Sequence, residues 1–319
     1  MERPEASDAS RRARLTIGLP VYNGERYLAQ AIDSLLRQTF TDLVLIVSDN
    51  GSTDATEEIC RSWTRHDPRV RYHRSNDNRG AAWNFNRVFE LADSPYFKWA
   101  AHDDLYAPDC VERCIEVLDR NPRAILAYPQ SYVIDDDGEI TGTYREPANA
   151  TAARPHERFQ AVVRNSGNCH MLFGVVRRDV LRLTQLHGPY PASDVLLIAE
   201  LALRGELHEV GKPLFYWRDH RRKPQRLHPT DDALAVFYDP RNAGKTSMRH
   251  WTHLARYVHT VARVPLPLGE RLRCAVVVLK WAVLRLPLLA GELARRFRAG
   301  FRRAGAAAAQ PRASSGQNA

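Results

Sequence analysis

From Leu15 onward, short apolar runs rich in β-branched residues alternate with longer segments whose apolar positions recur every three or four residues. LTIGLPV, LVLIVSD, VRYHRS and YFKWAA have the length and composition of strands, while ERYLAQAIDSLLRQ, ATEEICRSWTRH and AAWNFNRVFELA between them have a helical period. Strands joined through helices form βαβ units, so the pattern predicts an α/β fold with a mostly parallel sheet and helices on both faces. The strands are apolar on both sides, as fully covered parallel strands are. PDCVERCIEVLDRN then reads as a helix and AILAYPQSYVID as a strand. The following DDDGEITGTYREPANATAARPHE is rich in turn formers and predicts a hairpin turn and a loop. Beyond it come a helix (RFQAVVRN), an irregular piece (SGNCHMLFGVVRRDVL), a helix starting near Asp194 (DVLLIAELALRG) and a short strand (LHEVGKPLFYWR).

A chain of 319 residues holds one α/β domain of roughly 220 to 250 residues and an appendage. The boundaries fall at a disordered N-terminus over 1–13, the α/β domain over 14–230, a helical extension over 231–303 and a disordered tail over 304–319. The opening MERPEASDASRRAR lacks the apolar core of a signal peptide, which places the expected location in the cytoplasm. Five cysteines without CxxC or zinc-ligand spacing fit a reducing compartment.

The net charge of +9 changes this picture only at the end of the chain, because every charged residue from Arg271 to Arg303 except Glu292 is basic. That excess lies among apolar residues and lacks a nucleic-acid reading motif, so nucleic acid is excluded as a partner. In residues 265–303 the apolar runs are broken by Arg273, Lys280, Arg285 and Pro287, and none reaches the roughly 18 to 20 residues of a spanning helix. The segment fits either a basic helix lying on the inner face of the cell membrane or a helix pair packed on the α/β domain or a second subunit.

Ligands of open α/β sheets bind at the carboxyl ends of the strands. Those ends carry Pro20-Val21-Tyr22-Asn23, Ser48-Asp49-Asn50-Gly51, the residues after His73, and His102-Asp103-Asp104. No GxGxxG follows a strand, so the dinucleotide fingerprint is absent. Two adjacent carboxylates after a buried strand raise each other's cost unless a cation neutralises them. A hard cation, Mn2+ or Mg2+, that also carries substrate phosphates meets that need.

PVYNGERYL with SDNGSTDAT, then NRGAAWNFN, HDDL, SDVLLIAELALRG and LFYWRDH, in that order, resemble the family 2 glycosyltransferases of GT-A fold over roughly residues 14–220. The resemblance implies an inverting, metal-dependent hexosyltransferase that uses a nucleotide sugar, a UDP-sugar being the first candidate, with a glycan or lipid-linked acceptor. It places Pro20, Tyr22, Asn23, Asp49, Asn78, Arg79 and Gly80 around the nucleotide, with Asp103 near the ribose or a metal-bound water. Asp104 becomes the metal ligand, although His102 stands where the family's DxD motif begins with an acid. Asp194 becomes the general base, with Ser193 in place of the usual preceding acid; the competing reading of Asp194 is a helix cap. His220 either completes the metal shell or is a surface histidine, and Arg218 or Arg222 adds positive charge beside the diphosphate. Tyr144–His156 and Asn168–Phe173 are the expected acceptor contacts. A non-catalytic nucleotide-sugar-binding scaffold on the same fold is the alternative function.

Overall fold

The computed structural model describes residues 12–148, 150–165 and 167–308. Its first part runs β1 (Leu15–Val21), α1 (Leu28–Leu36), β2 (Leu43–Asp49), α2 (Thr56–His66), β3 (Val70–Arg74), α3 (Ala81–Glu90) and β4 (Tyr96–Trp99). Next come β5 (Leu105–Tyr106), α4 (Cys110–Arg120), β6 (Ala124–Ile134), β7 (Ile140–Tyr144), α5 (Pro155–Arg164), β8 (Val175–Arg177), α6 (Arg178–Leu181), α7 (Ser193–Arg204) and β9 (Glu206–Arg218). The chain closes with α8 (Pro224–Leu227), α9 (Asp231–Tyr238), α10 (Arg249–Arg263), α11 (Leu268–Leu284) and α12 (Leu286–Ala308).

The strands form one sheet in the order β3-β2-β1-β4-β8-β6-β9-β5, with β7 paired to β6. Every residue of β1 and β2 is buried, which is what their unbroken apolar runs require. The β3-β2-β1-β4 half is parallel, as the strand–helix alternation predicts. Beyond β4 the sheet is mixed: β8 runs antiparallel to both β4 and β6, whereas β9 is parallel to β6 and antiparallel to β5. The strand expected to be short, β9, is 13 residues long. Its length lets it pair with β6 along one edge and with β5 along the other, so that Tyr106 stacks on Phe215 at 5.2 Å between ring centroids.

The C-terminal helices share the core of the sheet. Tyr257, Cys274, Val277 and Trp281 belong to the same buried cluster as Phe159 of α5 and Leu197 of α7. Phe159 meets Tyr257 edge-on at 5.8 Å and Tyr257 meets Trp281 at 5.4 Å. Two histidine–carboxylate contacts of 2.7 Å, His156 with Glu270 and His250 with Glu292, fasten the same seam. Among the described residues no single helix is long and apolar enough to cross a membrane, and α11 and α12 meet at a 64° bend. Helix α12 continues to Ala308, past residue 304 where the tail was expected to lose structure. Residues 1–11 of the expected N-terminal arm and 309–319 of the tail lie outside the described residues.

Candidate active site

The residues expected around a nucleotide lie in the parallel half of the sheet. Register pairs Val21 with Asp49 and Asp49 with Arg74, so β1, β2 and β3 end side by side. Asn84 of α3, not singled out by the sequence reading, ties these ends together: its Nδ2 donates to Val21 O at 3.1 Å and Ser48 O at 2.9 Å. Pro20 is buried in β1, and the chain then emerges at Tyr22, which is 41% exposed. Asn23 takes a left-handed turn, φ 51°, a conformation Asn tolerates, and its Oδ1 accepts the Thr53 N–H at 2.9 Å. Asp49 is fully buried; Oδ1 accepts from Ser52 N at 2.8 Å, and Oδ2 from Tyr72 Oη at 2.7 Å and Arg74 Nη1 at 2.5 Å. Its carboxylate therefore anchors the wall of the crevice, with Arg74 as the group it presents.

The loop 78–80 folds back on this wall. Asn78 Oδ1 accepts from Asn50 Nδ2 and from Gly80 N, both at 2.9 Å. Arg79 stands exposed with its guanidinium 4.4 Å from the centre of the Trp83 ring. Gly80 has φ 89° and ψ 159°, a region open essentially to glycine alone. A Cβ there would also lie 2.4 Å from Tyr238 O and 2.9 Å from Asp239 Cα, because the end of α9 presses on the loop. Gly80→Ala is expected to cost roughly 1–3 kcal/mol in thermal unfolding and to weaken nucleotide binding by displacing this contact. An unchanged melting temperature and unchanged nucleotide affinity would disprove it.

The acidic pair sits where β4 gives way to β5. Asp104 is 2% exposed, and its Oδ1 accepts the backbone N–H of Arg218 at 2.8 Å. Burial first, and the neighbouring Asp103 second, push its carboxyl up to about 7. Burial works on Asp103 in the same sense, but His102, the His220 hydrogen bond and Lys223 outweigh it and hold that carboxyl below its usual range. His220 is buried; Nε2 lies 2.8 Å from Asp103 Oδ2, and Nδ1 accepts the Arg222 N–H at 3.2 Å. Both ring nitrogens thus have partners within the protein, which overturns the surface-histidine reading and makes His220 the residue that orients Asp103.

Arg218 does not supply a charge for a diphosphate. Its guanidinium is buried and donates to Asp103 O, Asp135 O, Asp136 O and Gln30 Oε1 at 2.9 to 3.2 Å. Arg222 is exposed. A second buried cation bears on the acidic pair: Lys223, with Nζ 3.5 Å from the centre of the Trp217 ring, acts on both Asp103 and Asp104, and Arg218 acts on Asp104. Within the basic run RRK nothing in the sequence separates Lys223 from its neighbours.

Among the described residues no three His, Cys, Asp or Glu side chains are gathered as a metal-binding group. A divalent cation held by one or two carboxylates and completed by phosphate and water needs no third protein ligand. The raised Asp104 carboxyl, crowded by Asp103, is the feature such a cation would relieve, and the two carboxylates fit it.

The residues expected to meet an acceptor lie in the second half of the chain. Asp194 opens α7 after Ala192, which takes the left-handed conformation at φ 58°. Asp194 Oδ1 accepts the adjacent Val195 N–H at 2.9 Å, so the side chain also serves the helix end. Burial raises its carboxyl above the usual range. The two segments expected to touch the acceptor are brought together: Tyr144 Oη accepts the Asn168 N–H at 2.8 Å and donates to Glu146 Oε2 at 3.1 Å. Tyr144 also packs on the His170 ring at 4.4 Å between centroids. His170 is driven down to about 3 by burial and then by Lys223, so it is neutral, with Ser131 Oγ at 2.8 Å from Nδ1. Glu146 Oε1 also accepts the His170 N–H, so Tyr144, Glu146 and His170 form one hydrogen-bonded cluster. Glu146 and His170 carried no pattern that marked them in the sequence.

Comparison with known proteins gives this arrangement its context. The sequence pattern of the family described as glycosyl transferase family 2 matches residues 16–182. An uncharacterized glycosyltransferase of Rickettsia typhi is 35% identical over 122 residues, 38% of this chain and 37% of that protein. The chondroitin synthase of Escherichia coli is 31% identical over 139 residues, 44% of this chain but only 20% of the synthase. The chain thus matches well under half the length of these relatives. Among solved structures, S. aureus TarS 1–349 in complex with UDP-GlcNAc aligns with a TM-score of 0.64 at 12% identity, covering 90% of this chain and 81% of that one. The fold is GT-A. With its sequence pattern matched over more than half of the 319 residues, the chain belongs to glycosyl transferase family 2.

Proposed function

We propose that this protein moves a sugar from a nucleoside diphosphate sugar, a UDP-sugar before others, to a hydroxyl of a glycan or lipid-linked acceptor, with inversion at the anomeric carbon. The observation that carries this reading is the Asp103–Asp104 pair after β4, held by His220 and by the Arg218 N–H, together with a further carboxylate, Asp194, in the first turn of α7. The UDP-GlcNAc bound by TarS and the polymer named in the chondroitin synthase support the donor and acceptor classes.

In this mechanism Asp194 accepts the proton of the acceptor hydroxyl as that oxygen forms its bond to the anomeric carbon. The bond from that carbon to the diphosphate oxygen breaks, and the electron pair leaves with the nucleoside diphosphate. Asp104, with Asp103 held in place by His220, would hold Mn2+ or Mg2+, which when bound stabilises negative charge on the diphosphate. Lys223 contributes a fixed positive charge behind the pair. The wall formed by Asp49 and Arg74, with Tyr22, Asn23 and the loop Asn78–Arg79–Gly80, binds the nucleotide. The test is a screen of the purified protein against UDP-, GDP- and dTDP-sugars with Mn2+, reading nucleotide release. Release of one nucleotide, abolished by chelator, supports the reading; tight binding without any release would favour a non-catalytic scaffold.

A further inference from the structure

Helix α11 has two apolar faces, and only one of them is covered. Cys274, Val277, Val278 and Trp281 face the protein core and are buried. On the opposite side Leu272, Val276, Leu279 and Val283 form a stripe at i, i+4, i+7 and i+11, and they are between 49% and 63% exposed. Helix α12 repeats the design after the bend: Leu289 and Glu292 turn inward, while Leu286, Leu293 and Phe297 lie at i, i+7 and i+11 on an exposed line. A second apolar face left uncovered on such a helix marks an interaction surface.

The charges beside the stripes identify the partner of that surface. At about 100° per residue, Arg271 lies on one flank of the α11 stripe and Lys280 on the other, while Arg273 beside Lys280 is paired with Glu270; Arg296 and Arg298 flank the α12 line. The two acids of these helices are engaged within the protein: Glu292 is 2% exposed and accepts from His250 N at 3.0 Å, and Glu270 is held by His156 at 2.7 Å and by Arg273 at 2.9 Å. We infer that α11 and α12 dock the protein on an anionic lipid surface, with the apolar stripes in the acyl boundary and the flanking basic residues on the headgroups. Such docking holds the protein in the plane of the membrane; no single described helix is long and apolar enough to cross it, and only the bent pair α11–α12 reaches that length and composition together.

The experiment is flotation of the full-length chain with vesicles of phosphatidylcholine alone or of phosphatidylcholine with phosphatidylglycerol. The expected result is at least about tenfold stronger partitioning onto the anionic vesicles, weakened by high salt. Leu279→Glu with Val283→Glu, and separately Lys280→Glu with Arg296→Glu, should each lower it by about tenfold or more with the melting temperature unchanged, since all four side chains are exposed. Equal binding to both vesicle types, or none, would overturn the inference. A dimer in solution that Leu279→Glu with Val283→Glu dissociates, without any lipid binding, would assign the face to a second copy of the chain.

Discussion

Asp194→Asn should leave the protein folded and able to bind its nucleotide sugar, yet lower sugar transfer by about 10²- to 10⁴-fold, the usual contribution of a positioned general base. Asparagine keeps the oxygen that accepts the Val195 N–H, so the start of α7 survives, but it has no basic lone pair for the acceptor proton. The loss should fall on kcat with little change in the KM of the donor, since the residues proposed to bind it lie at the ends of β1, β2 and β3. The pH profile gives a second check. Burial raises the Asp194 carboxyl, so the base is lost to protonation at a higher pH than an exposed aspartate would be, and the acidic limb of kcat moves up accordingly. Near-wild-type transfer by Asp194→Asn at saturating donor would sink this assignment and reduce Asp194 to a helix-end residue.

The second large effect concerns Asp104. Asp104→Asn keeps an oxygen for the Arg218 N–H and removes the charge, so β5 and β9 should stay paired while transfer falls by about 10²- to 10³-fold. The diagnostic measurement is a comparison of chelator effects. Stripping divalent cations should abolish the wild-type activity and leave the residual activity of Asp104→Asn nearly unchanged, because both treatments remove the same interaction. A variant that keeps wild-type activity, or one that remains as chelator-sensitive as the parent, would place the cation elsewhere. His220→Ala is not an equivalent test, since it acts on Asp103 through a 2.8 Å hydrogen bond.

The donor half was legible in the sequence because its structure is local. Each of β1, β2 and β4 is followed by polar residues at its carboxyl end, and the βαβ rule puts those ends on one side of the sheet. The same rule says nothing of β8, whose three residues pair antiparallel with strands distant in the chain, or of the 13-residue reach of β9. Roles that depend on those non-local pairings were therefore misread. Arg218 looked like a cation for the diphosphate, yet β9 buries it against carbonyls, and Lys223 looked like one of three surface charges, yet Trp217 covers it. Asp49 was legible as a strand-end carboxylate, but its partners Tyr72 and Arg74 on β3 show only in the folded sheet. In the C-terminal helices the periodic apolar positions were visible, whereas the choice of buried face depends on Phe159 and Tyr257.

The placement of β9 between β6 and β5 bears on how such proteins can exchange parts. The segment that carries the family pattern ends at residue 182, before α7 and β9 begin. A chimaera joined there would seat one parent's Asp104 under the other parent's Arg218 backbone and would divide the catalytic groups between two histories. A junction after Arg218 keeps the sheet whole but parts Phe159 from Tyr257 and Trp281. Packing thus ties α5, α7, β9 and the C-terminal helices into one unit, and the shared core with Phe89, Phe97 and Trp99 ties the β1–β4 half to that unit as well.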